Sequence, residues 1–148
     1  LVHQGLAAPE AELATAGGWP WTFHRAIDHA QDKLAALDQC IALGTDRVLT
    51  SGGETLALDG AAMLKQMVER AGEQLVIAAA GGIDASNVVE LVEKSGVTEV
   101  HFSAQKAKDG KPSGAAMSSA NVGVNFEIGP DVAKIEGVMN ALVKAGLR

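Results

Sequence analysis

The feature of this sequence that most constrains its fold is a unit that recurs three times along the chain. In each copy a helical segment ends in a glycine, and a short apolar strand begins after two further residues. The glycines are Gly44, Gly72 and Gly96, and the strands that follow them are RVLTS, LVIAA and EVHFS. A glycine just past a helix supplies a left-handed cap, and two residues suffice to turn the chain into a strand.

The spacing of the strands predicts strands and helices in alternation. The strand centres, which lie 26, 28 and 24 residues apart, are Phe23, Leu49, Ile77 and His101. This is the period of βα units, and apolar residues recur at helical intervals between the strands. Asp84 is expected to cap the third helix, and Pro130 is expected to occupy the first turn of the last helix. Residues 9–18 are expected to be the end of a further helix.

The predicted fold class is α/β, with parallel βα units. Such units form either an open sheet or part of a (βα)8 barrel, and the strands of an open doubly wound sheet are nearly continuous in apolar residues. The strands here carry polar residues that the mouth of a barrel accommodates, namely Thr22, His24, Thr50, Glu99 and His101. The pattern therefore favours the C-terminal half of a TIM-type barrel. Residues 1–148 are expected to form a single partial domain in which residues 105–129 are a long loop.

Composition excludes several classes of partner. The net charge is −6 and no run of Lys and Arg occurs, which argues against nucleic acid. No apolar stretch approaches the roughly 18 residues of a membrane span, and no signal region is present. We expect a soluble, cytoplasmic protein that binds a small molecule or anion and no membrane. A half barrel leaves two strand edges open, so the chain is also expected to be a homo-oligomer.

The stretch TFHRAID, residues 22–28, contains the candidate catalytic residues His24, Arg25 and Asp28. Alternation along the strand points Thr22 and His24 into the barrel and places Arg25 and Asp28 at its C-terminal mouth, where such barrels have their sites. His24 is a candidate general base or ligand, or else a buried histidine held by a neighbour. Arg25 and Asp28 form either an anion site or a structural ion pair.

Two glycine turns and the last strand supply the candidate ligand-binding residues. In AAGGID the backbone N–H groups at Gly81, Gly82 and Ile83 could hold phosphate at the start of a helix. In TSGG the hydroxyl groups of Thr50 and Ser51 are donors beside a second glycine turn. The complete set of predicted ligand-binding residues is Thr50, Ser51, Gly52, Gly81, Gly82, Ile83, His101 and Ser103. Both turns could instead be plain loops.

The stretches TFHRAID, DRVLTSGG, AAGGID and EVHFSA, in this order and spacing, resemble the CutC family, which is named for copper homeostasis. The resemblance covers about residues 19–104. It implies a TIM-type barrel of which this chain holds units five to eight. It also implies that the cysteines usually discussed as copper ligands lie in the other half.

Copper is therefore a possible cofactor, with His24 and His101 as the candidate metal ligands. These two residues lie on strands that are three apart in the proposed barrel. The single cysteine, Cys40, is expected in the core, because its segment is helical and apolar. An alternative function is a barrel enzyme in which Arg25 or His24 transfers a proton on a small phosphorylated or carboxylated metabolite.

Overall fold

The computed structural model describes residues 19–107 and 128–148. Four strands form a parallel sheet in chain order: β1 (Thr22–Phe23), β2 (Arg47–Thr50), β3 (Val76–Ala80) and β4 (Glu99–His101). Each of the first three strands leads to a helix: α1 (Lys33–Ala42), α2 (Ala61–Ala71) and α3 (Val88–Ser95). Parallel strands in sequential order, joined by helices, make up half of a TIM-type barrel, which confirms the predicted fold class.

The chain after β4 differs from the repeated unit. Strands β5 (Gln105–Ala107) and β6 (Ile128–Pro130) pair in antiparallel fashion, and α4 (Val132–Lys144) follows them. These two strands occupy the ends of the stretch that was predicted to be a long loop, and residues 108–127 lie outside the described residues. The helix end predicted at residues 9–18 lies outside them as well. No helix within the two described ranges is long and apolar enough to cross a membrane.

One face of the sheet packs against the helices; the other, here called the polar face, carries Thr22, Arg47, Glu99 and His101 beside apolar residues such as Leu49. Phe23 pairs in register with Val48, and both pack in the core with the helices. Thr22 pairs with Arg47 on the opposite face, and Glu99 pairs with Ala78. The helices complete the core through residues at helical spacing; in α2 these are Ala61, Leu64, Met67 and Ala71. Cys40 on α1 is fully buried, so its predicted place in the core is confirmed.

The glycines that end the predicted helices have left-handed or otherwise positive φ angles. Gly44, Gly72 and Gly96 have φ angles of 72°, 53° and 72°, a region that residues with a Cβ rarely adopt. Each therefore ends its helix and redirects the chain toward the next strand, as the repeat predicts.

The predictions for two helix starts were wrong by a few residues. Helix α3 begins after Asn87, whose side chain makes no capping hydrogen bond, and Asp84 accepts the N–H of Ser86 at 2.8 Å in the turn that precedes the helix. Pro130 is the last residue of β6 and lies before the helix. Asp131 caps α4, and its side chain accepts the N–H of Lys134 at 3.0 Å.

Candidate functional site

A five-residue 3-10 turn, Arg25–His29, follows β1 at the C-terminal edge of the sheet. His24 begins it, since its Nδ1 accepts the N–H of Ala26 at 3.2 Å. In a 3-10 turn the side chains of residues i and i+3 eclipse each other. This brings Arg25 and Asp28 together, and Arg25 Nε donates to Asp28 Oδ2 at 2.7 Å. Arg25 and Asp28 thus form the structural ion pair that was one of the two alternatives for these residues.

Asp28 joins this turn to the loop after β2. Besides Arg25, its carboxylate accepts the Thr50 hydroxyl at 2.5 Å and the N–H of Gly53 at 3.1 Å. The N–H of Ser51 lies 3.1 and 3.2 Å from the two carboxylate oxygens, and Ser51 Oγ lies 3.0 Å from Oδ2. The Asp28 side chain is only 5% exposed, so these contacts replace water around a buried charge.

The surroundings of Asp28 keep it ionised. Burial raises the pKa of the carboxyl group, but the hydrogen bonds from Thr50, Arg25 and Ser51 more than offset that effect, and the pKa lies below its usual value. A carboxylate with a low pKa and occupied oxygens is a weak proton acceptor. Asp28 is suited to orient Arg25, and its predicted catalytic role stays a prediction.

The hydroxyl groups of Thr50 and Ser51 are committed to internal contacts. Both residues are fully buried, and Thr50 Oγ1 also accepts the N–H of Gly52 at 2.9 Å. Ser51 Oγ accepts from Arg25 Nη2 at 2.7 Å and lies 2.5 Å from the carbonyl oxygen of Glu54. Since the hydroxyl has one hydrogen, it donates either to that carbonyl or to Asp28. Direct ligand binding by Thr50, Ser51 and Gly52 remains a prediction.

The Arg25 guanidinium is restrained on one side and open on the other. Nε is held by Asp28, and Nη2 by Ser51 and the carbonyl of Glu54, the latter at 3.3 Å. Nη1 points toward Gly81, where a Cβ atom would lie 3.4 Å from it. No acceptor for Nη1 is found among residues 19–107 and 128–148. The side chain is 42% exposed, so a charged donor is presented to solvent in a fixed orientation.

The loop after β2 and the loop after β3 lie against each other at the same edge. The N–H of Ala57 donates to the carbonyl of Gly81 at 2.9 Å. Gly81 and Gly82 have φ angles of 126° and 63°, and a Cβ on Gly82 would overlap the Leu56 side chain. Both glycines are therefore needed for backbone conformation and for close approach.

Some backbone N–H groups of the loop after β3 donate to side chains of the same loop. Asp84 takes the N–H of Ser86, and Asn87 Oδ1 accepts the N–H of Asp84 at 3.0 Å. Within the described part of the chain, nothing accepts from the N–H groups of Gly82 and Ile83. The donors left for an anion are these two N–H groups, of which Gly82 is exposed and Ile83 is buried.

His24 and His101 are both exposed and share the polar face of the sheet, but the structure does not bring them together. His24 follows β1, whereas His101 ends β4, and strands β2 and β3 lie between them. The two histidines also lie at different levels along the sheet. His101 pairs with Ala80, whereas His24 is level with Leu49, which pairs with Ala78, two residues before Ala80. Ser103 is exposed just beyond β4.

The cysteine, imidazole and carboxylate groups of the described residues do not form a copper site. Copper(I) prefers thiolates and thioethers, and the single cysteine is buried on α1, away from the polar face. Burial raises the pKa of the Cys40 thiol, which keeps it in the protonated form that does not bind metal. No cluster of three His, Cys, Asp or Glu side chains suited to a metal occurs in ranges 19–107 and 128–148.

One ion pair on the polar face was missed by the sequence analysis. Arg47 donates from Nε and Nη2 to the two carboxylate oxygens of Glu99, at 2.5 and 2.9 Å, and Arg47 Nη1 lies 3.4 Å from Thr22 Oγ1. The sequence contained an indication of this pair. Arg47 is the first residue of the strand RVLTS, and it lies on the same face of the sheet as Thr22, with which it pairs. Arg47 and Glu99 are the first residues of β2 and β4, and Glu99 is in register with Ala78, two residues beyond the partner of Arg47 on β3.

Known proteins that are similar to this chain share the name CutC. A CutC family protein of Photobacterium profundum is 39% identical over 135 residues, which cover 88% of this chain and 55% of the relative. A protein of Mus musculus named copper homeostasis protein cutC homolog is 37% identical, over 84% of this chain and 47% of that protein. The chain thus spans about half the length of these curated relatives.

A solved structure and a family model agree with these relatives. The structure of CutC from Streptococcus agalactiae superposes with a TM-score of 0.59 at 30% sequence identity, over 63% of this chain and 46% of that one. The family model described as the CutC family matches residues 6–106. Together with the half barrel and its strand-end loops, these matches show that the chain belongs to the CutC family.

Proposed function

We propose that the protein acts in copper homeostasis in the cytoplasm, and that its strand-end loops bind a small anion rather than copper. The role in copper homeostasis is carried in the names of the relatives from Mus musculus and Homo sapiens. The free, buried thiol of Cys40 suits a reducing compartment. The observation that carries the anion site is the Arg25 guanidinium, which is held on two of its nitrogens and open at the third.

The electrostatics of the loops favour an anion beside Arg25. Asp28 neutralises Arg25 only from the Nε side, and its carboxylate is almost entirely shielded from solvent. A ligand at Gly81 would therefore meet Nη1 and the exposed N–H of Gly82, and not the carboxylate. A charge-assisted hydrogen bond of this kind contributes about 1.5 to 3 kcal/mol.

The same site would serve an enzyme that acts on a phosphorylated or carboxylated metabolite, with His24 as the group that transfers a proton. The specific observation in favour is that His24 Nδ1 is occupied by the N–H of Ala26. In the neutral ring this places the hydrogen on Nε2, which is then a donor on an exposed side chain next to Arg25.

Titration of the protein with inorganic phosphate, followed by calorimetry, tests the anion site. We expect Arg25→Gln to weaken phosphate binding by about tenfold or more, because one charge-assisted bond is lost. Arg70→Gln is the matched control, since Arg70 is also paired through two nitrogens with an aspartate, Asp38, but lies on α2. Equal phosphate affinity in the two variants, or no phosphate binding by the unsubstituted protein, would disprove phosphate binding at Arg25.

The second part of the proposal concerns copper itself. Competition with a Cu(I) chelator, applied to the protein and to Cys40→Ser, should give the same copper occupancy for both, because the thiol is buried and protonated. If Cys40→Ser abolished copper uptake with the fold intact, the thiol would be a copper ligand and the expectation drawn from its burial would be wrong.

A further inference from the structure

Leu56 is an exposed apolar side chain at the same edge of the sheet as Arg25. It lies in the loop between β2 and α2, and 45% of the residue is exposed. Its Cδ2 atom lies too close to the Cβ position of Gly82 for any larger residue to fit there. The Cβ position of the neighbouring Gly81 lies 3.1 Å from the Thr55 carbonyl oxygen and 3.4 Å from Arg25 Nη1. Two consecutive glycines are thus flanked by a guanidinium and by an isobutyl group.

The backbone around Leu56 is fixed, so its exposure is not that of a loose loop tip. Its carbonyl oxygen accepts the N–H groups of Asp59 and Gly60, at 3.1 and 3.3 Å, and the next residue, Ala57, donates to Gly81. Gly52 and Gly60 approach so closely that a Cβ on Gly52 would lie 2.5 Å from the Gly60 carbonyl oxygen. The loop that carries Leu56 is therefore held at its two ends by the contact between Gly52 and Gly60, and near its middle by the hydrogen bond from Ala57 to Gly81.

We infer that the ligand of this site is a small amphiphilic organic anion: its phosphate or carboxylate group binds Arg25, and its carbon skeleton lies on Leu56. This inference rests on the proposed anion site and specifies what the site takes. The Cα atoms of the two glycines are 3.8 Å apart, so the cationic and the apolar contact lie within the span of one small molecule.

A homologous series of alkyl phosphates separates the contributions of Arg25 and Leu56. Phosphate and methyl, propyl and hexyl phosphate are titrated into the protein, and each methylene that Leu56 covers should raise the affinity about three- to fourfold. Leu56→Ala and the near-isosteric Leu56→Asn should keep phosphate binding but lose the dependence on chain length. Val143→Ala, a truncation of an exposed residue on α4, should keep both.

The outcomes for the two proposals are distinct. If phosphate binds through Arg25 but affinity does not rise with chain length, the amphiphilic ligand is ruled out and the anion site stands. If chain-length dependence survives in Leu56→Ala and in Leu56→Asn, Leu56 is not the apolar contact. Absence of binding by every phosphate and every carboxylate in the two series ends both proposals. Acetate, butyrate and hexanoate, run in parallel, decide between a carboxylate and a phosphate head group.

Discussion

Arg47 and Glu99 form a two-point ion pair that spans β3, with Arg47 Nη2 2.9 Å from Glu99 Oε1. The two residues begin β2 and β4 and lie on the polar face of the sheet, where they connect strands that do not pair directly. The hydrogen bond from Arg47 holds the pKa of Glu99 below its usual value. The pair thus connects the first residues of β2 and β4 across the polar face.

The Arg47 and Glu99 pair should contribute modestly to stability. Each side chain is about 40% exposed, at 39% and 40%, so water and salt screen the attraction. A double-mutant cycle with Arg47→Gln and Glu99→Gln, measured by urea unfolding, should give a coupling free energy of about 0.5 to 1 kcal/mol that shrinks at high salt. A coupling that is unaffected by salt would mean that the pair is shielded from solvent.

Asp28→Asn should destabilise the protein by about 2 to 4 kcal/mol, because the amide cannot accept from all the donors around it and buried N–H groups lose their partner. Asp38→Asn, which also removes a carboxylate paired with an arginine but an exposed one, should leave the free energy of unfolding nearly unchanged. Urea unfolding of the two variants measures the difference. Equal losses would show that Asp28 gains nothing from its buried contacts.

The pH dependence of stability should carry the signature of Asp28. Because its pKa is lowered in the folded state, the unfolded chain takes up the proton first as the pH falls. The stability that Asp28 contributes is therefore complete above the ordinary carboxyl pKa and is lost as the pH falls through the folded pKa. The free energy of unfolding, measured across this acid range, should vary less with pH in Asp28→Asn than in the unsubstituted protein.

Gly60→Ala should destabilise the fold although its backbone is not in the left-handed region. The added methyl would overlap the carbonyl oxygen of Ser51, and a clash with backbone in a buried loop typically costs about 1 to 3 kcal/mol. Gly129→Ala is the control, because a Cβ there meets nothing within 4 Å. Thermal unfolding of both variants checks this; a Gly60→Ala protein as stable as the control would mean that the loop can shift.

The 148-residue chain, expressed as such, should self-associate. Among the residues that the structure describes, β1 and β4 each pair on one side only, so two edges of the parallel sheet offer free backbone donors and acceptors. Multi-angle light scattering at micromolar concentration should report a mass above that of one chain. A stable monomer would contradict this expectation.

Sequence patterns were sufficient for the fold because glycine positions and strand parity act locally. Gly44, Gly72 and Gly96 ended their helices as predicted, and Phe23 faced the helices as its alternation with Thr22 required. The start of α3 was missed because Asp84 accepts the N–H of Ser86 in a turn that comes before the helix, and the helix itself begins only after Asn87.

The candidate site was predictable in outline but not in its connections. That Arg25, Ser51 and Gly81 meet follows from their places at strand ends. That Ser51 would be buried on Asp28, and that Leu56 would lie on Gly82, depends on how the loop of residues 51–60 folds back. No periodicity encodes that path, because it is set by close backbone contacts such as that between Gly52 and Gly60.

The buried carboxylate of Asp28 also has a consequence for local opening motions. The amide hydrogens of Ser51 and Gly53 both lie on it, although these residues belong to a loop and not to a strand. They can exchange with solvent only when the turn after β1 and the loop after β2 separate, so the two segments should open as one cooperative unit. Hydrogen exchange should show these two amides slowed together and released together in Asp28→Asn.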